Sequence, residues 1–281
     1  METMTVLRLS TLGHPQRLAI FRLLVRRYPD TVSAGEIAAV LGIKPSTLSA
    51  YLAALMRAGL VTQRRVATSL RYSIDMAEAR RTFDYLLLDC CRGRPDLCAP
   101  MPMILDRGLE PEPRRRASVL FLCTGNSARS ILAEAILRKE AGDRFDAHSA
   151  GIAPRRAPNP LALEVLAQAG HDVTMLRSKS LAEYRRDGAP IFDFVFTVCD
   201  QAANEECPAW TGRPISAHWG MPGPVRATGT DADRRLAFRR THDALRARIL
   251  AFTALPLDTL DRISLQHAVD DIGRTVLGEP A

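Results

Sequence analysis

Four apolar residues, Val119-Leu120-Phe121-Leu122, run directly into Cys123-Thr124-Gly125-Asn126-Ser127-Ala128-Arg129-Ser130, and the apolar-rich helical pattern of residues 131–137 follows. A short apolar run of this kind reads as a buried strand. The loop behind it carries a C-x5-R-S spacing and opens a helix. Backbone N–H groups of such a strand-to-helix loop point inward and cradle an anion. The guanidinium of Arg129 adds a planar fork for two oxygens of a tetrahedral oxyanion. Residues 124–130, namely Thr124, Gly125, Asn126, Ser127, Ala128, Arg129 and Ser130, are therefore the expected oxyanion cradle. The same positive field is expected to lower the pKa of Cys123 and make it a thiolate nucleophile, with Ser130 placed to donate a hydrogen bond to it. Beyond residue 117 strand-like and helical runs alternate, which points to an α/β layer with a parallel sheet.

Phosphate and arsenate share shape and charge, so this loop does not separate them. The remaining cysteines of the region bear on the choice. Residues 193–198 form a second strand-like run that ends at Cys199, and Cys207 follows eight positions later. Hydrolysis of a phosphate ester needs no further thiol. Reduction of As(V) to As(III) needs two electrons, which two thiols supply by forming a disulfide. The bland alternative is that Cys199 and Cys207 are core residues.

The loop resembles the phosphate loop of the low-molecular-weight tyrosine phosphatase family. The segments DFVFTVCDQAANEECP and AHWGMPGPV resemble that family's arsenate reductase branch, and Ala128 stands where the phosphatases usually carry Cys. The resemblance spans about residues 117–278. It implies that Cys123 attacks arsenate, that Cys199 attacks the Cys123 sulfur with loss of arsenite, and that Cys207 then attacks Cys199 and passes the disulfide outward to thioredoxin. A helix over the eight positions from Cys199 to Cys207 would hold their Cα atoms about 12 Å apart, whereas a disulfide needs less than about 7 Å, so residues 200–206 are expected to be at least partly ordered when reduced and to unwind when the implied Cys199–Cys207 bond forms. In a variant of this scheme a small thiol such as glutathione intercepts the first adduct. No cofactor is expected beyond the external thiol reductant. The family also carries an Asp before a proline in the loop matching Pro222-Gly223-Pro224, as general acid; here the position is Gly223. General acid catalysis is typically worth about 10²–10⁴-fold, so activity without that Asp is expected to be slow.

Residues 34–60 read as a short helix stopped by Gly42, then a second helix started by Lys44-Pro45-Ser46. Leu48, Leu52 and Leu55 fall at helical spacing and are expected to face a core. Ser46, Thr47, Ser49 and Tyr51 lie largely outside that stripe, where short polar groups approach base edges and phosphates. The stretch at 60–74 reads as two strands around a polar turn, decorated by Arg64, Arg65 and Arg71, a wing suited to phosphate contacts. The alternative is a helical hairpin with a solvated strand pair. These residues resemble the ArsR family of winged-helix repressors over about residues 5–98, and LGHPQRLAIFRLL at 12–24 resembles that family's opening helix. The resemblance implies a homodimer through the first and last helices, Phe83-Asp84-Tyr85-Leu86-Leu87-Leu88 suiting the last, and operator DNA as partner.

No cysteine lies in the helix before the recognition helix, where many members of that family bind metal. Cys90, Cys91 and Cys98 lie instead in DCCRGRPDLC. Three thiolates suit a soft, three-coordinate centre such as As(III); zinc normally takes a fourth ligand, and three idle thiols are the structural alternative. The arrangement resembles arsenite sensors with a triple-cysteine site, which makes arsenite the expected regulatory ligand.

Charge follows the same division. Residues 1–98 hold 14 Lys and Arg against 8 Asp and Glu, while residues 117–281 hold 20 against 20. A basic first domain suits a polyanionic partner. The segment at 99–116, with four prolines and three consecutive arginines, reads as a linker. The expected organisation is a mostly α winged helix-turn-helix domain at 1–98, the linker, and an α/β phosphatase-like arsenate reductase domain at 117–281. No run of 18 apolar residues occurs, so no membrane partner is expected, and the cytoplasm is the default compartment. Three functions stay open: a repressor joined to an arsenate reductase, a regulator with a catalytically weak oxyanion domain, and a DNA-binding protein joined to a tyrosine phosphatase.

Overall fold

The computed structural model describes residues 2–90, 116–186, 188–205, 210, 212 and 214–274. Two compact units divide the chain, Met1–Arg107 and Gly108–Ala281. Except for Arg116, the expected linker at 99–116 lies outside the described residues.

The first unit opens with α1 (Glu2–Leu12) and α2 (Pro15–Arg27). This corrects the expectation that residues 12–24 form the opening helix. The break has a local cause: His14 caps α2 by accepting from the Gln16 N–H at 3.2 Å, and Pro15 occupies the first turn. Pro at that position suits a helix start, because its missing N–H would be unpaired anyway. The chain continues through β1 (Val32–Ser33), α3 (Ala34–Leu41), α4 (Pro45–Arg57), β2 (Val61–Val66), β3 (Ser69–Ile74) and α5 (Met76–Asp84), followed by a π-helical turn, Tyr85–Cys90. Ser33 caps α3 through the Glu36 N–H, and Gly42 closes it with φ of 62°, a left-handed value that favours glycine. The path then bends by 111° into α4. Leu48, Leu52 and Leu55 are buried as their spacing predicts, together with Ile20, Leu23, Leu24 and Ile37. Strands β2 and β3 form an antiparallel hairpin, with β1 on the outer side of β3.

The second unit is a four-stranded parallel sheet in the order β5-β4-β6-β7, made of β4 (Ala117–Cys123), β5 (Phe145–Gly151), β6 (Phe194–Thr197) and β7 (Ile215–His218). Its connections include α6 (Arg129–Ala141), α7 (Pro160–Gln168) and α8 (Asp200–Asn204), and the chain finishes in α9 (Asp231–Thr253) and α10 (Arg262–Arg274). Residues Val119 to Leu122 of β4 are at most 2% exposed. Parallel strands covered on both faces read as such continuous apolar runs. Phe196 of β6 stacks on Trp219 at 4.0 Å between ring centroids, and Phe252 of α9 packs edge-on against both. The Trp219 indole N–H donates to the Val269 carbonyl, fastening α10 to the end of β7. Among the described residues no single helix is long and apolar enough to cross a membrane.

Candidate active site at the sheet edge

In an open parallel sheet, ligands bind at the carboxyl ends of the strands. Cys123 ends β4, between its neighbours β5 and β6, and the loop of residues 124–128 leads into α6. The Cys123 sulfur accepts from the Asn126 N–H at 3.1 Å and lies 2.9 Å from the Ser130 hydroxyl. Asn126 is fully buried with φ of 41°, a left-handed conformation that costs a non-glycine residue of order 1–3 kcal/mol. Its side chain explains how that strain is held. The amide donates to Ser130 and Ser149, each at 2.8 Å, and its oxygen accepts from the Lys179 N–H at 2.6 Å. Gly151, which ends β5, makes room for the loop. A Cβ there would meet the Thr124 carbonyl at 2.8 Å and the Asn126 nitrogen at 2.9 Å.

Behind Ser149 lies a buried ion pair. Glu134 of α6 binds the Lys179 ammonium at 2.6 Å, accepts from Ser149 at 2.5 Å, and is reached by Arg138 at 2.6 Å. A continuous chain of hydrogen bonds therefore runs from Cys123 through Ser130, Asn126 and Ser149 to Glu134. Removing one member of a buried pair leaves an uncompensated charge, which ties the loop's geometry to Lys179.

One expectation is corrected here. Burial pushes the Cys123 thiol above the ordinary cysteine value; the hydrogen bond with Ser130 pulls it down, and nearby Cys199 raises it again. Desolvation outweighs the donors because the sulfur is sealed in the core, 3% exposed. Arg129 points one nitrogen at the Met221 carbonyl at 2.9 Å.

Cys199 caps the first turn of α8, its sulfur accepting from the Ala202 N–H at 3.4 Å and lying 3.4 Å from the Thr124 hydroxyl. The second cysteine thus meets the first residue of the oxyanion loop, and it is buried. Residues Asp200–Asn204 are helical, within the expected ordered segment. Cys207 lies outside the described residues. The Pro222-Gly223-Pro224 turn also comes to this site: a Cβ at Gly223 would stand 3.5 Å from an Arg129 nitrogen. Two features escaped the sequence. The side chain of Arg155 lies along Gly125 at the loop rim, where an added Cβ would be 3.3 Å from its Cγ. A buried His218 joins Thr197 to Asp200. Their partners are 18 to 30 positions away, so no local pattern marks them.

In the first unit Ser46 and Ser49 are exposed on α4, and Thr47 and Tyr51 are half-buried. Ser49 gives its hydroxyl proton to the Pro45 carbonyl at 3.0 Å, and the Tyr51 ring packs on His14. On the wing Arg64 stands opposite Arg71. Arg71 donates to the Thr31 carbonyl at 2.8 Å and Arg64 reaches the Thr31 hydroxyl at 3.5 Å, while Arg65 is exposed on the other face. Cys90 is exposed at the end of the π-helical turn; Cys91 and Cys98 lie outside the described residues.

The helix-turn-helix domain pattern matches residues 12–64. An arsenate reductase from Halalkalibacterium halodurans is 37% identical over 134 residues, 48% of this chain and 93% of that protein. One from Bacillus subtilis is 34% identical over the same shares. A solved arsenate reductase in the phosphate-binding state is 21% identical, covers 48% of this chain and 94% of its own, and has a TM-score of 0.39. The pattern of the low molecular weight phosphotyrosine protein phosphatase family matches residues 118–262, a span that holds the loop, both described site cysteines and the sheet. The chain belongs to the low molecular weight phosphotyrosine protein phosphatase family and carries a helix-turn-helix domain ahead of that fold.

Proposed function

We propose that the chain is an arsenite-responsive repressor joined to a thiol-dependent arsenate reductase. One observation carries the reductase reading: a second buried thiol, Cys199, is held against Thr124 of the loop that bears Cys123. In the proposed cycle the loop and Arg129 hold arsenate, and the Cys123 sulfur displaces one of its oxygens, which takes up the thiol proton and leaves as water. Cys199 then attacks the Cys123 sulfur. An S–S bond forms, the S–As bond breaks, and its electron pair stays on arsenic, so arsenite leaves as two thiols become a disulfide. Cys207 takes over that disulfide and an external thiol system, thioredoxin or glutathione, reduces it. No metal or organic cofactor enters this scheme.

Gly223 favours a second reading, a regulator whose oxyanion domain turns over slowly. Arsenate reduction measured with thioredoxin and with glutathione, beside hydrolysis of a phosphotyrosine analogue, tests both. Arsenite release dependent on Cys123 and Cys199 supports the reductase. Phosphatase turnover without arsenite release refutes it.

In the first unit, α4 is the reading helix, with Ser46 and Ser49 exposed and Thr47 and Tyr51 half-buried beside them, and the wing supplies Arg64 and Arg65. Arg71 serves mainly to fix the wing. Cys90, Cys91 and Cys98 are the arsenite ligands, so the reductase product is the sensor's inducer. Dimerisation through the first and last helices is supported by apolar residues of α1 that face outward, Met4, Val6, Leu7 and Leu9, and by Phe83 of α5, each at least 37% exposed.

A further inference from the structure

His218 ends β7 and is 1% exposed. Its Nδ1 lies 2.8 Å from the Thr197 hydroxyl, at the end of β6, and its Nε2 lies 3.2 Å from a carboxylate oxygen of Asp200, the first residue of α8. A carboxylate offers only acceptors, so Nε2 is the donor; in a neutral imidazole Nδ1 then accepts from Thr197. The backbone at Gly220 presses on the same hydrogen bond. A Cβ there would stand 2.5 Å from Nε2 and 2.9 Å from the Asp200 oxygen. Two strand ends and a glycine turn thus converge on the residue next to Cys199.

Helix α8 is five residues long. So short a helix does not hold itself together, since nucleation is unfavourable and few bonds follow. Its tertiary anchors include buried Ala202 and Ala203, the Thr124 hydroxyl donated to Gln201 Oε1 at 3.2 Å, and the His218–Asp200 pair at its first turn. We propose that the His218–Asp200 pair is a positioning latch that seats Cys199 against the oxyanion loop and lets go when the disulfide moves on. This rests on the reductase reading for its place in a reaction, but the seating itself does not. Two opposed needs meet at Cys199. It must stay put for attack on Cys123, and its segment must then unwind to meet Cys207. A hydrogen bond to a charged acceptor is worth a factor of about 10 to 100 in an equilibrium. That is enough to keep Cys199 seated and small enough to be given up within a catalytic cycle.

The test uses the full chain with Asp200→Ala, Asp200→Asn and Gly220→Ala. Iodoacetamide labelling of Cys199, read by peptide mapping in a Cys123→Ser background, reports the seating without arsenate. Arsenate-driven formation of the Cys123–Cys199 disulfide in a single turnover reports its use. Asp200→Ala and Gly220→Ala are expected to speed Cys199 labelling at least tenfold and slow disulfide formation by a similar factor. Affinity for inorganic phosphate should stay within twofold. Asp200→Asn keeps a neutral acceptor for Nε2 and should fall between the unsubstituted chain and Asp200→Ala in both readouts. Asp200 has an exposed side chain, so its variants should fold even if Gly220→Ala does not. Unchanged labelling of Cys199 in Asp200→Ala overturns the latch. So does a loss of phosphate affinity matching the loss of disulfide rate, which is the mark of a merely structural role. Altered labelling in a chain that forms no disulfide with arsenate leaves the latch standing and removes the reductase reading.

Discussion

Replacing Gly223 with Asp is the sharpest perturbation available at the site. The backbone there has φ of −79°, ordinary for any residue, and nothing lies closer to an added Cβ than Arg129 at 3.5 Å. An aspartate therefore fits without strain beside the Arg129 guanidinium, the proposed oxyanion fork. Two effects compete. As general acid the carboxyl protonates the departing oxygen, a contribution of about 10²–10⁴-fold. As an anion beside Arg129 its pKa falls by about 1–3 units, so that it is mostly ionised at neutral pH. The gain must then shrink about tenfold per pH unit above that lowered pKa, because only the protonated form acts. A pKa lowered to about 3 leaves about one carboxyl in 10² protonated at pH 5 and about one in 10⁵ at pH 8, so the expected result is a rise of at most about 10²-fold in the single-turnover rate of arsenite release at the low end of a pH series from 5 to 8, and none at 8. A single turnover isolates the chemical steps from reduction by the external thiol. No gain at any pH, with arsenate still bound, would refute the reasoning and mean that another group delivers the proton.

Removing the Lys179 ammonium by Lys179→Met leaves Glu134 buried with Arg138 alone, and a cost of about 3–5 kcal/mol is expected; thermal unfolding checks it, and a change below 1 kcal/mol would show that the pair does not brace the loop. Because burial raises the Cys123 thiol, its alkylation rate in the free enzyme should keep climbing with pH past the range where an ordinary cysteine levels off. Ser130→Ala, which removes a hydrogen bond that lowers that pKa, should shift the curve to still higher pH. Asp270, buried on α10, is pushed up from 3.8 to about 7, chiefly by desolvation. The folded chain holds that proton after the unfolded chain has lost it, so stability should fall as pH rises from about 4 to about 7; Asp270→Asn should flatten this slope in melting curves. Arg65→Ala should weaken DNA binding across sequences and flatten its salt dependence by about one phosphate contact, whereas Arg71→Ala should loosen the wing itself and lower thermal stability.

The loop was readable from sequence because its pattern is local: strand, C-x5-R-S and helix follow one another within residues 119–137. The α4 core stripe was readable for the same reason, Leu48, Leu52 and Leu55 lying on one face. Helix α1 was not, because its inward residues are Thr5, Arg8 and Thr11 while its apolar ones face outward. Arg8 explains that inversion. It reaches the Ala58 carbonyl at 3.0 Å and pairs with Glu78, contacts 50 and 70 positions distant. Period alone favours apolar residues inside and so misses a helix docked by an arginine. The Cys123 shift was misjudged because the loop's positive field is visible in the motif, whereas the depth of burial that opposes it is a property of the packed sheet. The Glu134–Lys179 brace and the His218–Asp200 latch were equally hidden. Each joins residues that are unremarkable one at a time and acquire meaning only when the strands align.

The central claim is that this fold spends two of its own thiols on each arsenate. Reduced protein mixed with arsenate, in the absence of any external thiol, tests it in one step. The expected result is one arsenite released per chain, with Cys123 and Cys199 recovered as a disulfide or, where Cys207 has taken over, Cys199 joined to Cys207. Absence of arsenite, with all thiols still free and a phosphotyrosine analogue hydrolysed at the same loop, would contradict it.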